Sequence, residues 1–197
     1  MKIINFLGNK FSHGMAKYII FISFFAACQV THGEIYDVTK FKGTNIQIAI
    51  HCTDINGMNS CDIMRVESKK NKKILSFPFA PSSIDYDHGI FVITFPCGAS
   101  CSATYFYNEE DVLGGPFPAV AAYDTEKQAV LSLATNPPKI LKMFGKNQVI
   151  ASIKLNIPRD AENLLDYVVS AKVVEHVFCI NYRDVHGRMV DTRKDIP

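Results

Sequence analysis

Asn45-Ile-Gln-Ile-Ala-Ile-His-Cys52 is the stretch that decides how the rest of the chain is read. Ile46, Ile48, Ile50 and Cys52 fall on one side of an extended backbone, and Asn45, Gln47 and His51 fall on the other. Side chains of a strand alternate with period two, so this is a strand with one face in a core and one toward water.

The same grammar continues outward from that strand. Asp54 to Ser60 is rich in Asp, Asn and Gly and reads as a connection, after which Cys61 to Val66 resumes a strand. Lys69 to Lys73 reads as a basic turn before the apolar run Ile74 to Phe79. Pro78 to Asp87 holds two prolines and two serines and reads as a loop. His88-Gly89 leads into the β-rich run Ile90 to Phe95, and Thr104 to Tyr107 is a further strand. Gly114-Gly115-Pro116 breaks the chain. Val120 to Tyr123 and Ala129 to Leu133 flank Asp124 to Gln128 as the two arms of a hairpin. Ile153, Leu155 and Ile157 alternate with Ser152, Lys154 and Asn156.

Then the period changes. Ala161, Leu164, Leu165, Val168 and Ala171 recur at helical spacing. Pro158 suits a first helical turn, and Asp160 and Glu162 suit the positive end of a helix dipole. A helix is therefore expected near 158–172. Val173 to Tyr182 returns to β character, and the charged tail from Arg183 to Pro197 reads as frayed. The expected class is mainly β (α+β): an antiparallel sheet or β-sandwich with one C-terminal helix packed on it.

Hydrophobic residues make up 48% of the 197-residue chain and charged residues 20%, a balance that excludes disorder. The formal net charge is +2, but Lys2, Lys10 and Lys17 precede Cys28 with no acid among them, leaving −1 for the remainder. A near-neutral domain offers no electrostatic footprint for nucleic acid.

Residues 18–27 carry no charge, with Lys17 before them and Cys28 after. Ten helical residues span roughly 15 Å, about half of a bilayer core, which suits the apolar region of an export signal rather than a membrane span. Phe25-Ala26-Ala27-Cys28 resembles the lipobox of bacterial lipoproteins, with Phe where Leu is usual. The resemblance implies lipid attachment at Cys28, a signal over 1–27 and a single envelope domain over 28–197. A start at Met15 would make that signal compact, as lipoprotein signals are. In such proteins a residue other than Asp after the lipidated Cys implies an outer-membrane destination, and Gln29 fits. The competing reading is ordinary cleavage after Gly33, which releases a soluble periplasmic domain.

Five cysteines remain. Cys52 and Cys61 bracket a turn between two strands, and Cys97 and Cys101 flank Gly98-Ala-Ser100, so two local disulfides are expected in an oxidising compartment. Cys179 is left unassigned, and a crossed pairing of Cys61 with Cys179 stays open. Thiolates at Cys97 and Cys101 would alternatively suit thiol redox chemistry or copper. His176 and Cys179, three apart on a strand, point to opposite faces.

The remaining candidates read as ordinary. His51, His88, His176 and His186 form no ligand spacing, so no metal site and no cofactor are expected. Glu109-Glu110-Asp111 lacks the alternation of a calcium loop. Ser102 and Ser132 have no nucleophile-elbow context. Tyr105, Tyr107, Phe117 and Tyr123 read as core rather than as a binding patch. The function expected is a non-enzymatic envelope lipoprotein that binds a protein partner in the periplasm, one concrete form being an immunity protein against a secreted antibacterial toxin.

Overall fold

A computed structural model describes residues 35–55, 58–67, 70–98, 101–158, 161 and 163–196. The export signal and Cys28 lie outside the described residues. The described residues all belong to one unit, His32–Pro197.

Among the described residues, fifteen strands form four antiparallel meanders, taken in strict chain order. The first sheet is β1 (Ile35–Lys40), β2 (Gln47–Ile55), β3 (Met58–Glu67) and β4 (Lys70–Phe77). The second is β5 (Ser83–Asp87), β6 (Ile90–Gly98), β7 (Cys101–Asn108) and β8 (Leu113–Pro118). The third is β9 (Val120–Asp124), β10 (Ala129–Ser132), β11 (Lys139–Lys142) and β12 (Val149–Ser152). The fourth is β13 (Val168–Val174), β14 (Val177–Arg183) and β15 (Met189–Asp195).

Period-two alternation decides how the sheets stack. In β6, Phe91, Ile93 and Phe95 pack with Ile48 and Ile63 of the first sheet. Ile90 and Val92, on the other side of the same strand, pack with Val130 and Leu141 of the third. In β10 the sides swap again: Val130 faces the second sheet, while Ala129 and Leu131 meet Phe178, Ile180 and Tyr182 of β14. The two inner sheets are thus covered on both faces, and β6 and β10 read as unbroken apolar runs for that reason. Stacked rings add to the seams, with Phe77 and Phe95 centred 4.2 Å apart and Phe106 set edge-on to Phe117 at 5.7 Å.

The antiparallel β architecture agrees with the sequence reading, but a four-layer stack replaces the expected sandwich. The helix expected near 158–172 is absent. The described part of that segment holds one 3-10 turn, Leu164–Asp166, capped by the Asn163 side chain, and then the strand β13. The helical spacing has a specific source. Val168 pairs with Tyr182 and Ser170 with Asn181, so Val169 is an extra, bulged residue. The bulge lets Val168 and Ala171, three apart, share the inward face of a strand. The β-branched run Val168-Val169 and Val173-Val174 then favours the sheet.

Three smaller expectations are corrected by pairing partners the local sequence did not reveal. Ser83–Asp87, read as loop, is β5 and pairs residue for residue with β6. Lys70 to Lys73, read as turn, begins β4. The tail read as frayed contains β15, which pairs along β14 from Val177 to Arg183, and Ile196 beyond it is buried.

Candidate functional site

In a meander, turns between odd and even strands leave one end of the sheet, and the others leave the opposite end. Contacts across the seams place described odd-to-even turns of the four sheets along one rim: Phe41 meets Tyr86, Thr125 bonds Asp87, and His176 bonds Asp124. On that rim three turns from three different sheets meet. His88-Gly89 joins β5 to β6, Asp124 to Gln128 joins β9 to β10, and Glu175-His176 joins β13 to β14.

Turn chemistry explains where the histidines sit. A two-residue hairpin turn of type I′ requires positive φ at both central positions. His88 and Gly89 have φ of 46° and 78°, and Glu175 and His176 have 50° and 63°. Histidine is among the side chains that tolerate this region best. Each turn therefore pushes an imidazole out beyond the end of its sheet.

The two imidazoles converge on Glu126. Its Oε1 lies 3.0 Å from His88 Nε2, and its Oε2 lies 3.5 Å from His176 Nε2. Each ring is held from behind by another carboxylate. His88 Nδ1 is 2.8 Å from Asp87 Oδ1, and His176 Nδ1 is 2.8 Å from Asp124 Oδ2. Those carboxylates are themselves fixed. Asp87 accepts from the buried Thr125 hydroxyl, and Asp124, also buried, accepts from the Lys127 N–H at 2.8 Å. The hydrogen bond that His88 donates to Asp87, reinforced by the carboxylate's charge, raises the His88 pKa above the ordinary imidazole value. The hydrogen bond from Thr125 holds the Asp87 carboxyl below the usual range.

A second polar array lies on the same rim, over the seam between the first and second sheets. Arg65 turns its guanidinium inward, donating from Nη1 to the Tyr107 hydroxyl at 3.2 Å and to the Glu109 carbonyl at 2.8 Å. Its remaining nitrogens face Glu67, and the group sits 5.9 Å over the Tyr107 ring. Tyr107 donates to Asp111, which also pairs with Lys72. Burial, and then the Asp111 hydrogen bond, push the Tyr107 hydroxyl up to about 12. Tyr86 donates to Glu109 at 2.6 Å. The members bind one another, so this array reads as a clasp closing the seam.

No family model and no curated protein matches the chain. Among solved structures, an uncharacterized protein from Listeria monocytogenes EGD-e matches 82% of this chain at 9% identity and a TM-score of 0.28. This chain spans 66% of that protein's length, just under two thirds.

The cysteines expected as staples stand where the sequence put them. Cys52 and Cys61 face each other across β2 and β3 and are bonded. Cys97 and Cys101 are bonded at the β6–β7 hairpin. Both disulfides lie toward the rim opposite the histidines. Cys179 is a free thiol among the described residues, half-buried on β14 with its sulfur toward the Val177 carbonyl. His176 is turned away from it, toward Asp124.

Of the aromatic quartet, Phe117 and Tyr107 are buried and Tyr105 and Tyr123 partly so, which is the core role expected. Glu109 and Asp111 belong to the clasp, and Lys73 pairs with Asp62. The convergence of His88, His176 and Glu126 was missed. Their separations along the chain, 88 to 126 to 176, have no ligand pattern. The available signal was that both histidines sit beside hairpin turns, and only the stacking order brings those turns together.

Proposed function

We propose that this chain is a non-enzymatic binding protein of the bacterial cell envelope, anchored by lipid at Cys28 and holding a protein partner along its rim of odd-to-even turns. The observation that carries this reading is the joining of a doubly covered, stacked-sheet scaffold to turns from successive sheets that present charged side chains side by side. Loops on a rigid scaffold are where proteins place recognition. Around the histidines the rim exposes Asp87, Glu126 and Glu175, so a partner with a basic docking surface is the complementary one. An immunity protein against a secreted antibacterial toxin is one concrete form, acting by occupying the toxin's surface rather than by chemistry.

Photo-crosslinking in intact cells tests the rim. A crosslinker at Glu110 or Glu175 is expected to give one stoichiometric adduct, and a crosslinker at Thr135 or Val185 on the opposite rim none. Adducts from the opposite rim alone, or from neither, would overturn the reading. The anchor is tested separately by fatty-acid labelling, which Cys28→Ala is expected to abolish. The alternative, thiol redox or copper handling, needs Cys97 and Cys101 as thiolates, and the two sulfurs are bonded to each other here.

A further inference from the structure

We infer that His88, Glu126 and His176 form a pH-sensitive latch: it bridges turns of the second, third and fourth sheets in mild acid and frees Glu126 when the two imidazoles lose their charge. The latch is built into the chain and is independent of what protein the rim binds.

Geometry carries the argument. All four ring nitrogens face carboxylate oxygens, at 2.8 and 3.0 Å for His88 and at 2.8 and 3.5 Å for His176. An imidazole donates from both nitrogens only when it is charged, and an ionised carboxylate only accepts. With both rings charged, every one of these contacts is an ion pair. Glu126 then joins two cations through its two oxygens, one ring on each. The charges alternate in sign from Asp87 through His88, Glu126 and His176 to Asp124.

Loss of a proton breaks this chain at a defined place. A neutral imidazole keeps one N–H. The carboxylates at the Nδ1 atoms are the anchored ones, since Asp87 accepts from Thr125 and the buried Asp124 accepts from the Lys127 N–H. A buried acceptor is costly to leave without its donor, so the remaining proton belongs on Nδ1. Each Nε2 then turns a lone pair toward Glu126, and acceptor faces acceptor. The Glu126 side chain is 51% exposed and can turn to water. Thr125 with Asp87 and His176 with Asp124 still join the sheets in pairs, while the bridge across all three is lost.

The surroundings set the direction of the switch. Besides the rings, the titratable groups lining the cleft are Asp87, Tyr123, Asp124, Glu126 and Glu175, with no lysine or arginine among the described residues there. Lys127 follows in the same turn, and Asp195 ends β15 just before Ile196, whose N–H donates to the His176 carbonyl at 3.1 Å. This acidic setting favours the charged imidazole. The hydrogen bond to Asp87 lifts His88 above its ordinary 6.5, and the hydrogen bonds from Thr125 and then His88 hold Asp87 below its ordinary 3.8. A raised imidazole contributes fully below pH 6.5 and loses that contribution as pH rises through its folded value. A depressed carboxyl contributes above pH 3.8 and loses it as pH falls through its folded value. The latch is therefore closed in mild acid. On opening, the rim sheds positive charge and presents Glu126 together with Asp87 and Glu175.

Thermal melting from about pH 5 to about pH 8, the range in which imidazoles titrate, tests the latch. The parent is expected to melt at falling temperature as pH rises. His88→Gln/His176→Gln is expected to lose at least half of that fall, and so is Glu126→Gln, which keeps both histidines. His186→Gln, on the opposite rim, is expected to keep it. A Glu126→Gln variant with the parent's full fall would overturn the bridge, and a parent without any fall would overturn the switch. Histidine ring NMR of the unsubstituted protein needs no variant: His88 is expected to titrate above 6.5, and a midpoint at or below that value would also overturn the proposal.

Discussion

Gly114 shows how much of this fold rests on single atoms. A Cβ built there would overlap the carbonyl oxygen of Met143 and press on the Phe144 ring. Strand β8 thus approaches the β11–β12 turn as closely as a backbone without a side chain allows. Gly114→Ala must push the two sheets apart, and overpacking of this kind costs about 1–3 kcal/mol. Urea unfolding is expected to show that loss at unchanged m-value, and a loss below about 0.5 kcal/mol would mean the approach is not tight. From the sequence, Gly114-Gly115-Pro116 reads only as an interruption, because the atom that forbids a side chain comes from a turn about thirty residues later. The histidines follow the same rule: their place beside turns is legible, and their meeting at Glu126 is not.

Elements were legible where one residue answers one partner. Asn45 to Cys52, Ile90 to Phe95 and Asp124 to Gln128 all obey period two or turn chemistry, and all are found as read. The reading failed where a bulge broke the count. In β13 the extra residue Val169 is 57% exposed, and its presence gives Val168 and Ala171 a spacing that imitates a helix. Removing it should leave a regular strand with the same side chains facing inward. Deletion of Val169 is therefore expected to keep the fold with a cost of about 1 kcal/mol or less. Deletion of Cys179 in β14 slips the register by one residue and turns either Phe178 or Ile180 and Tyr182 outward. Each side chain so exposed forfeits about 1.5–3 kcal/mol, enough to unfold the fourth sheet. Circular dichroism and thermal melts of the two deletions check this, and equal damage from both would contradict the bulge.

At the scale of the whole molecule, the sequence announced strands but not layers, since any of several stackings satisfies alternation. What distinguishes the stack is that its seams carry tyrosines. Tyr105 and Tyr107 lie between the first and second sheets, Tyr86 borders the same seam, and Tyr123 lies between the second and third. All four hydroxyls have raised pKa values. Burial is the leading cause for Tyr105, Tyr107 and Tyr123, and the hydrogen bond to Glu109 for Tyr86, with Tyr107 reaching about 12 against an ordinary 10.0. The folded chain then keeps phenol protons that the unfolded chain gives up. Below about pH 10 the two states hold the same number and the contribution is fully present. Above it the unfolded state binds fewer protons, so the unfolding free energy falls as pH rises and continues to fall until Tyr107 itself ionises. Denaturant unfolding at a series of alkaline pH values is expected to show this decline, with a shallower slope in Tyr107→Phe. That variant removes a proton the fold protects, together with the hydrogen bond to Asp111, so it should be less stable at neutral pH and lose less on going to alkali. A variant whose slope matches the parent would mean that the Tyr107 hydroxyl ionises freely, and that the clasp over the first seam does not shield it.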